Sequence, residues 1–180
     1  SVYFNPKDII GGDFYWFYHS DNTCYIAAVD CTGHNVPGAM MSMLVNSLLN
    51  EIMLRHKRLT TGEILSNLHR MLYKFLQQDK GESYSQDGCD ISLCKITRHE
   101  KTLQFSGARQ DLYLIWPNTH SVIQSTRKSI GGYSLIGQAE PERNFKTENV
   151  AVEDDAIIAM TTDGVLDQLN EKDDIFGPKH

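Results

Sequence analysis

Three short apolar runs open the chain, Val2–Phe4, Phe14–Tyr18 and Tyr25–Val29, parted by Gly11-Gly12 and by Ser20-Asp21-Asn22. Aromatic and β-branched runs between such breakers predict strands. The period then changes. Between Pro37 and His56, apolar Met41, Leu44, Val45, Leu48, Leu49, Ile52 and Met53 fall at helical spacing, and proline is tolerated in a first helical turn. Thr60 and Glu63 stand as in a capping box ahead of a second helical stripe, Ile64, Leu65, Leu68, Met71, Leu72, Phe75 and Leu76. Both stripes read as core rather than as a partner groove. From Asp90 onward strand signals return at Ile91–Thr97, Leu103–Ser106, Leu112–Trp116, Ser121–Ser125, Phe145–Val152 and Ala156–Thr161. Arg98-His99-Glu100-Lys101 and Trp116-Pro117-Asn118 read as turns, Gly131-Gly132 with Ser134 and Gly137 as a loop, and the polar stretch Gln77–Gly88 as a mobile connection. Strands, two helices and then many strands predict an α+β layered domain rather than alternating βαβ units.

Composition narrows the class. The 180 residues are 41% hydrophobic and 22% charged, which is too apolar for a disordered tail and enough for one domain with a real core over residues 1–180. No linker, repeat or low-complexity tract divides them. Seventeen basic against 23 acidic residues leave a net charge of −6, which argues against a general nucleic-acid backbone binder. No window approaches the roughly 18 apolar residues of a membrane helix, and no signal-peptide pattern is present. Cys24, Cys31, Cys89 and Cys94 form no Cys-x-x-Cys pair, so free thiols in a reducing compartment, the cytoplasm, are expected. The start at Ser1-Val2-Tyr3-Phe4, without an initiator methionine, suggests a piece of something longer.

Three acidic residues end apolar runs beside glycine: Asp13 in Gly11-Gly12-Asp13-Phe14, Asp30 in Asp30-Cys31-Thr32-Gly33-His34, and Asp163 in Thr162-Asp163-Gly164. A strand end fixes a carboxylate in space, and a neighbouring glycine lets backbone approach whatever it binds. Converging carboxylates would repel one another unless a cation lay between them, and oxygen donors suit Mg²⁺ or Mn²⁺ rather than zinc. Each site, taken singly, fits a turn dipeptide better than a ligand, and spacing does not show convergence. Other chemistries are poorly served: there is no Gly-x-Ser-x-Gly elbow, Walker loop, Rossmann fingerprint or close His/Cys ligand pair. His34 reads as a loop histidine or, if a site assembles around Asp30, as a group touching the reaction.

At this point the motifs resemble a family. Pro6-Lys7-Asp8-Ile9-Ile10-Gly11-Gly12-Asp13-Phe14-Tyr15-Trp16 looks like the first signature of the PPM-type serine phosphatases of the SpoIIE/RsbU branch. Asp30-Cys31-Thr32-Gly33-His34-Asn35-Val36-Pro37-Gly38-Ala39 resembles the second. Asp87-Gly88-Cys89-Asp90-Ile91-Ser92-Leu93 and Leu103–Ala108 resemble the middle strands. Thr161-Thr162-Asp163-Gly164-Val165-Leu166-Asp167-Gln168 resembles the late metal motif, with Phe176-Gly177 its sequel. The resemblance spans nearly the whole chain, with its motifs in order.

It implies two stacked antiparallel β-sheets flanked by helices, a PPM phosphatase-like αββα sandwich, with two Mn²⁺ or Mg²⁺ ions at one end. By resemblance Asp30 bridges both ions, the Cys31 carbonyl joins it, and Asp13 and Asp163 add carboxylates. Asp167 serves a weaker ion, shared with Asp87 or with Asp90 by the same resemblance. The implied activity is metal-dependent hydrolysis of phosphoserine or phosphothreonine on a regulatory protein such as an anti-sigma-factor antagonist. The implied setting is bacterial signal transduction, with an upstream sensor or connector domain, a possible homodimer and no contact with nucleic acid or membrane. The rival readings are a non-catalytic partner-binding module of the same fold and a small-molecule phosphohydrolase. Three departures stand out. Ser106-Gly107-Ala108-Arg109 replaces the Ala-Gly-His-Asn of many relatives, and spacing identifies no arginine as a phosphate clamp. The family also continues past Phe176-Gly177 to a final strand with an Asp-Asp motif, one aspartate of which is a ligand. This chain ends at His180, which implies a C-terminal truncation or an incomplete site.

Overall fold

In the computed structural model, residues 1–6, 9–20, 22–56, 58–78, 86–97, 100, 102–132, 140–152 and 155–167 are described. The chain runs β1 (Phe14–Ser20), β2 (Thr23–Cys31), α1 (Asn35–Arg55), α2 (Thr61–Phe75), β3 (Gly88–Thr97), β4 (Thr102–Ala108), β5 (Leu112–Trp116), β6 (Thr119–Ile123), β7 (Ile130–Gly131), β8 (Glu148–Ala151), β9 (Ile157–Ala159) and the single turn α3 (Asp163–Leu166). One sheet has the order β1-β2-β3-β4-β8 with β7 also on β3, and a three-stranded sheet has the order β6-β5-β9; all pairings between these strands are antiparallel.

Strand alternation sorts the larger sheet into two faces. On β2, Tyr25, Ala27, Val29 and Cys31 are buried in one cluster with Val45, Leu49 and Ile52 of α1 and Ile64, Leu65, Leu68 and Leu72 of α2. From the opposite face, Cys94, Leu103, Phe105 and Val150 meet Leu112 and Leu114 of the smaller sheet in a second cluster. The layers are therefore helices, six-stranded sheet and three-stranded sheet. Among the described residues, helices longer than one turn pack only on the six-stranded sheet, so the outer helical layer expected beyond the second sheet is not among them.

The helices start where the sequence predicts. Thr60 and Glu63 form the full capping box, and the buried face of α1 carries Met41, Val45, Leu48, Leu49, Ile52 and Met53. The methionines of α1 divide: Met40 and Met43 are exposed on its other face. The Val2–Phe4 run forms no strand. It has no pairing partner, its side chains are exposed, and Phe4 instead sets its ring edge against Tyr15 of β1. The predicted loop at Gly131-Gly132 contributes β7, which pairs with Gly88 and Cys89 of β3. Most of the expected mobile stretch and of the Arg98–Lys101 turn lies outside the described residues. The flanks of the former are tied together, since Gln78 is buried and its Nε2 donates to the Asp87 carbonyl at 2.6 Å. All four cysteines are free thiols. No helix among the described residues is long and apolar enough to cross a membrane.

Candidate metal centre

The acidic residues gather at one end of the two sheets. Asp13 immediately precedes β1, Asp30 is the penultimate residue of β2, and Asp163 opens α3 just after β9 of the smaller sheet. Because Tyr25, Val29 and Cys31 point to the helices, strand alternation turns Asp30 to the face that looks toward the smaller sheet. Two contacts show that the distant segments meet there. Thr162 Oγ1 donates to Asp13 Oδ2 at 2.6 Å across 149 residues of sequence. The Asp30 carboxyl is pushed up to about 8, first by burial and then by the neighbouring negative charges of Asp13 and Asp163.

Glycine packing presents the backbone beside this carboxylate. A Cβ on Gly12 would lie 2.5 Å from the Cys31 carbonyl oxygen and 3.1 Å from that of Gly33. A Cβ on Gly38, in the first turn of α1, would lie 2.5 Å from the Gly33 oxygen. The stretch Gly11-Gly12-Asp13 can thus lie against Cys31–Gly33 only without side chains there. The loop is pinned from its other side: Thr32 N–H donates to the Gly88 carbonyl at 3.0 Å, while Thr32 Oγ1 donates to Asp87 Oδ1 at 2.9 Å and accepts from Gly88 N–H at 3.1 Å.

A fourth carboxylate belongs to the group. Asp90 is the direct cross-strand partner of Asp30, an arrangement of like charges that is unfavourable without compensation. Burial raises its pKa and the Asp163 charge adds to this, while a 2.5 Å bond from Ser129 Oγ and the Arg109 guanidinium, Nε 3.3 Å from Oδ2, work against it.

The structure thus brings Asp13, Asp30 and Asp163 together and puts the Cys31 carbonyl beside Gly12. It does not bring in His34 or Asp167. His34 is exposed, and its Nδ1 accepts a 3.0 Å bond from Asn35 Nδ2. Asp167 is exposed one turn after Asp163, and its carboxylate bonds to none of the described residues. Sequence reasoning missed Thr162, Ser129 and Arg109, which reach the site only through pairing of remote segments. Asp90 was legible as an acidic strand residue, but not as the neighbour of Asp30.

The donor set fits a hard divalent cation. Carboxylates that act on one another's charge, as Asp13, Asp30 and Asp163 do, favour shared protons or a positive charge between them, and the donors are all oxygen. Among the described residues, however, no three His, Cys, Asp or Glu side chains stand close enough to cage an ion as they are. Binding would have to draw the carboxylates inward.

The layered fold is that of PP2C-type phosphatase domains. The family described as Stage II sporulation protein E (SpoIIE) matches residues 20–180, and the chain belongs to it. Among solved structures, the SiaA-PP2C domain of Pseudomonas aeruginosa superposes with a TM-score of 0.82 at 26% identity, covering 97% of this chain and 65% of that one. The PP2C phosphatase domain of SpoIIE from Bacillus subtilis, solved with a fragment of its regulatory domain, gives 0.68 at 14% identity over 89% of this chain and 43% of that one. RsbX in complex with magnesium gives 0.64 at 14% identity, over 88% and 69%. The chain thus spans less than two thirds of the length of the first two. Among curated proteins no sequence matches it.

Proposed function

We propose that this chain is the core of a Mn²⁺- or Mg²⁺-dependent protein serine/threonine phosphatase that removes phosphate from a regulatory phosphoprotein. The observation that carries the reading is the meeting of Asp13, Asp30 and Asp163 from three remote segments, where burial first and then the two neighbouring negative charges push the Asp30 carboxyl up to about 8. In this reading Asp30 would be the ligand common to two ions, and Asp13, Asp163 and the Cys31 carbonyl would hold them with it. Asp167 would serve a weaker ion, and His34, exposed in the loop after Asp30, would protonate the leaving oxygen. When bound, the ions supply Lewis acidity for in-line attack of water on phosphorus. The protein's own contribution is placement: Thr162 orients Asp13, the Gly12–Gly33 contact presents the carbonyl, and Thr32 ties the loop to Asp87. A magnesium-bound neighbour of the same fold supports the choice of ion. Neighbours solved with regulatory domains support a phosphoprotein substrate, such as an anti-sigma-factor antagonist, and an upstream sensor or connector; a homodimer and a cytoplasmic setting are part of the same proposal.

The test is Mn²⁺ titration of the full-length protein and of Asp30→Asn, with Mn²⁺-dependent release of phosphate from a phosphoserine protein as the second readout. Asp30→Asn should lose both. Equal Mn²⁺ affinity in the two proteins would refute the metal centre. A wild type that binds the ion but hydrolyses neither phosphoprotein nor p-nitrophenyl phosphate would leave a non-catalytic module of the same fold.

A further inference from the structure

Resting on that phosphatase reading, we infer that Arg109 binds the phosphoryl group of the substrate, its terminal guanidinium nitrogens donating to phosphoryl oxygens beside the carboxylate group. Among the described residues Arg109 is the one cation ion-paired with any of Asp13, Asp30, Asp90 and Asp163. A phosphomonoester dianion approaching four carboxylates needs positive charge beyond what neutralises them, and a planar guanidinium matches phosphoryl geometry.

The contrast with Arg143 and Arg70 separates this role from that of a counter-ion, and Arg127, similarly exposed with Nη2 3.5 Å from Asp111, pairs with a carboxylate outside the group. Arg143 is 2% exposed and spends all three of its nitrogens on four bonds to Glu140, Ser129, Gly131 and Gly132. Arg70 grips Glu142 through Nε at 2.9 and 3.1 Å and through Nη2 at 2.9 Å. Arg109 has a 55% exposed side chain and a single approach to Asp90, 3.3 Å from Nε, longer than a charge-assisted bond of about 2.7–2.9 Å. Its terminal nitrogens bond to none of the described residues.

The backbone holds it there at a cost. Arg109 has φ +59°, a left-handed conformation unfavourable for a residue with a Cβ. Its N–H donates to the Thr126 carbonyl at 2.9 Å, and the Thr126 N–H returns a 2.9 Å bond to Gly107. A bridge from Arg109 to Ile91 of β3 places it one residue beyond Asp90. Strain of this kind persists where the surroundings over-determine it, commonly at functional sites. Spacing could not find this arginine, because it arrives from the end of β4 rather than from any of the acidic motifs.

The experiment uses the Mn²⁺-loaded full-length protein with inorganic phosphate as the probe. Arg109→Gly removes the side chain and accepts the positive φ without strain. It should weaken phosphate binding by about tenfold or more, with Mn²⁺ affinity unchanged, and Arg109→Lys should recover only part of the loss. If Arg109 merely balances Asp90, the double variant Arg109→Gly/Asp90→Asn would bind phosphate like the wild type, and that result overturns the inference. A second readout needs no turnover: phenylglyoxal should label Arg109, and phosphate should block the labelling, as followed by peptide mass spectrometry. Labelling indifferent to phosphate also overturns it. Wild type that hydrolyses phosphoprotein without protection of Arg109 sinks this inference alone. Protection without hydrolysis sinks the phosphatase reading instead.

Discussion

Arg143→Ala should be among the most damaging single substitutions outside the apolar core, and the structure gives the scale. The guanidinium is buried at 2% exposure and donates to the carbonyls of Ser129 at 2.7 Å, Gly131 at 2.6 Å and Gly132 at 3.0 Å, and to Glu140 Oε2 at 2.9 Å. Truncation removes the donor from three backbone acceptors, each buried group left unpaired costing about 1–3 kcal/mol, while Glu140 keeps its pairing with Lys128. Water entering the space left by the side chain offsets part of this, so the net loss should be about 3–5 kcal/mol. For a domain of this size that lowers Tm by about 6–20 °C. Arg143→Lys should fall between, because an ammonium has three donors and no planar fork with which to span these acceptors. Urea unfolding of the three proteins measures the loss. Mn²⁺ titration should show a secondary weakening, because Ser129, whose carbonyl Arg143 holds, also bonds Asp90. A loss below about 1 kcal/mol for Arg143→Ala would mean that the segment from Ser129 to Gly132 is held by its pairing with β3, and the network argument would fail.

Two further outcomes test the frame of the site. His69 is fully buried, accepts the Gly131 N–H on Nδ1 at 3.0 Å and bonds the Glu140 carbonyl through Nε2 at 2.8 Å, and burial lowers its pKa. The unfolded chain therefore takes up this proton first: stability is level above about pH 6.5 and falls below it by up to about 1.4 kcal/mol per pH unit until the folded pKa is reached. Chemical unfolding of wild type and His69→Gln between pH 7.5 and 5 should show the smaller slope in the variant, and equal slopes would refute the assignment. Gly62→Ala should destabilise by about 1–3 kcal/mol although alanine is the better helix former, since its Cβ would sit 2.3 Å from the Phe145 carbonyl oxygen and 2.6 Å from Thr147 Oγ1. A thermal melt in which Gly62→Ala gains stability would mean that the segment from Phe145 to Thr147 yields easily.

Local signals carried most of the fold because the elements they mark are nearly self-sufficient. The Thr60–Glu63 box, the α1 and α2 stripes and the run Leu112–Trp116 all fall where period and capping place them. Val2–Phe4 shows the limit of the same rule: its residues suit a strand, but the exposed stretch finds no partner. Two-residue β7 was invisible for the opposite reason, since Ile130 and Gly131 pair only because β3 supplies an edge at Gly88 and Cys89. The site divides similarly. Asp13, Asp30 and Asp163 were legible from glycines at strand ends. Thr162 on Asp13, Ser129 on Asp90 and Arg109 across from Asp90 are tertiary pairings that no spacing encodes.

The frame around the carboxylates is uneven, and the unevenness bears on how the site works. Its wall at β2 and β3 is braced twice. Glycine contacts and the Thr32–Asp87 bond fix the loop after Asp30, and behind Asp90 a buried polar network of Gln78, His69 and Arg143 runs from α2 to Gly131 and Gly132. The Asp163 wall is held differently. Asp163 is exposed, it opens a short helix without a side-chain cap, and the bond from its neighbour Thr162 to Asp13 ties the segment to the rest of the site. If the site binds ions as proposed, the less supported wall is the one expected to move. Drawing Asp163 inward toward a fixed Asp30 costs the reordering of one turn, whereas moving Asp30 would break the packing of Gly12 on Cys31. Ion affinity should therefore respond more steeply to Thr162→Val, which releases the loose wall, than a single exposed-side hydrogen bond would suggest.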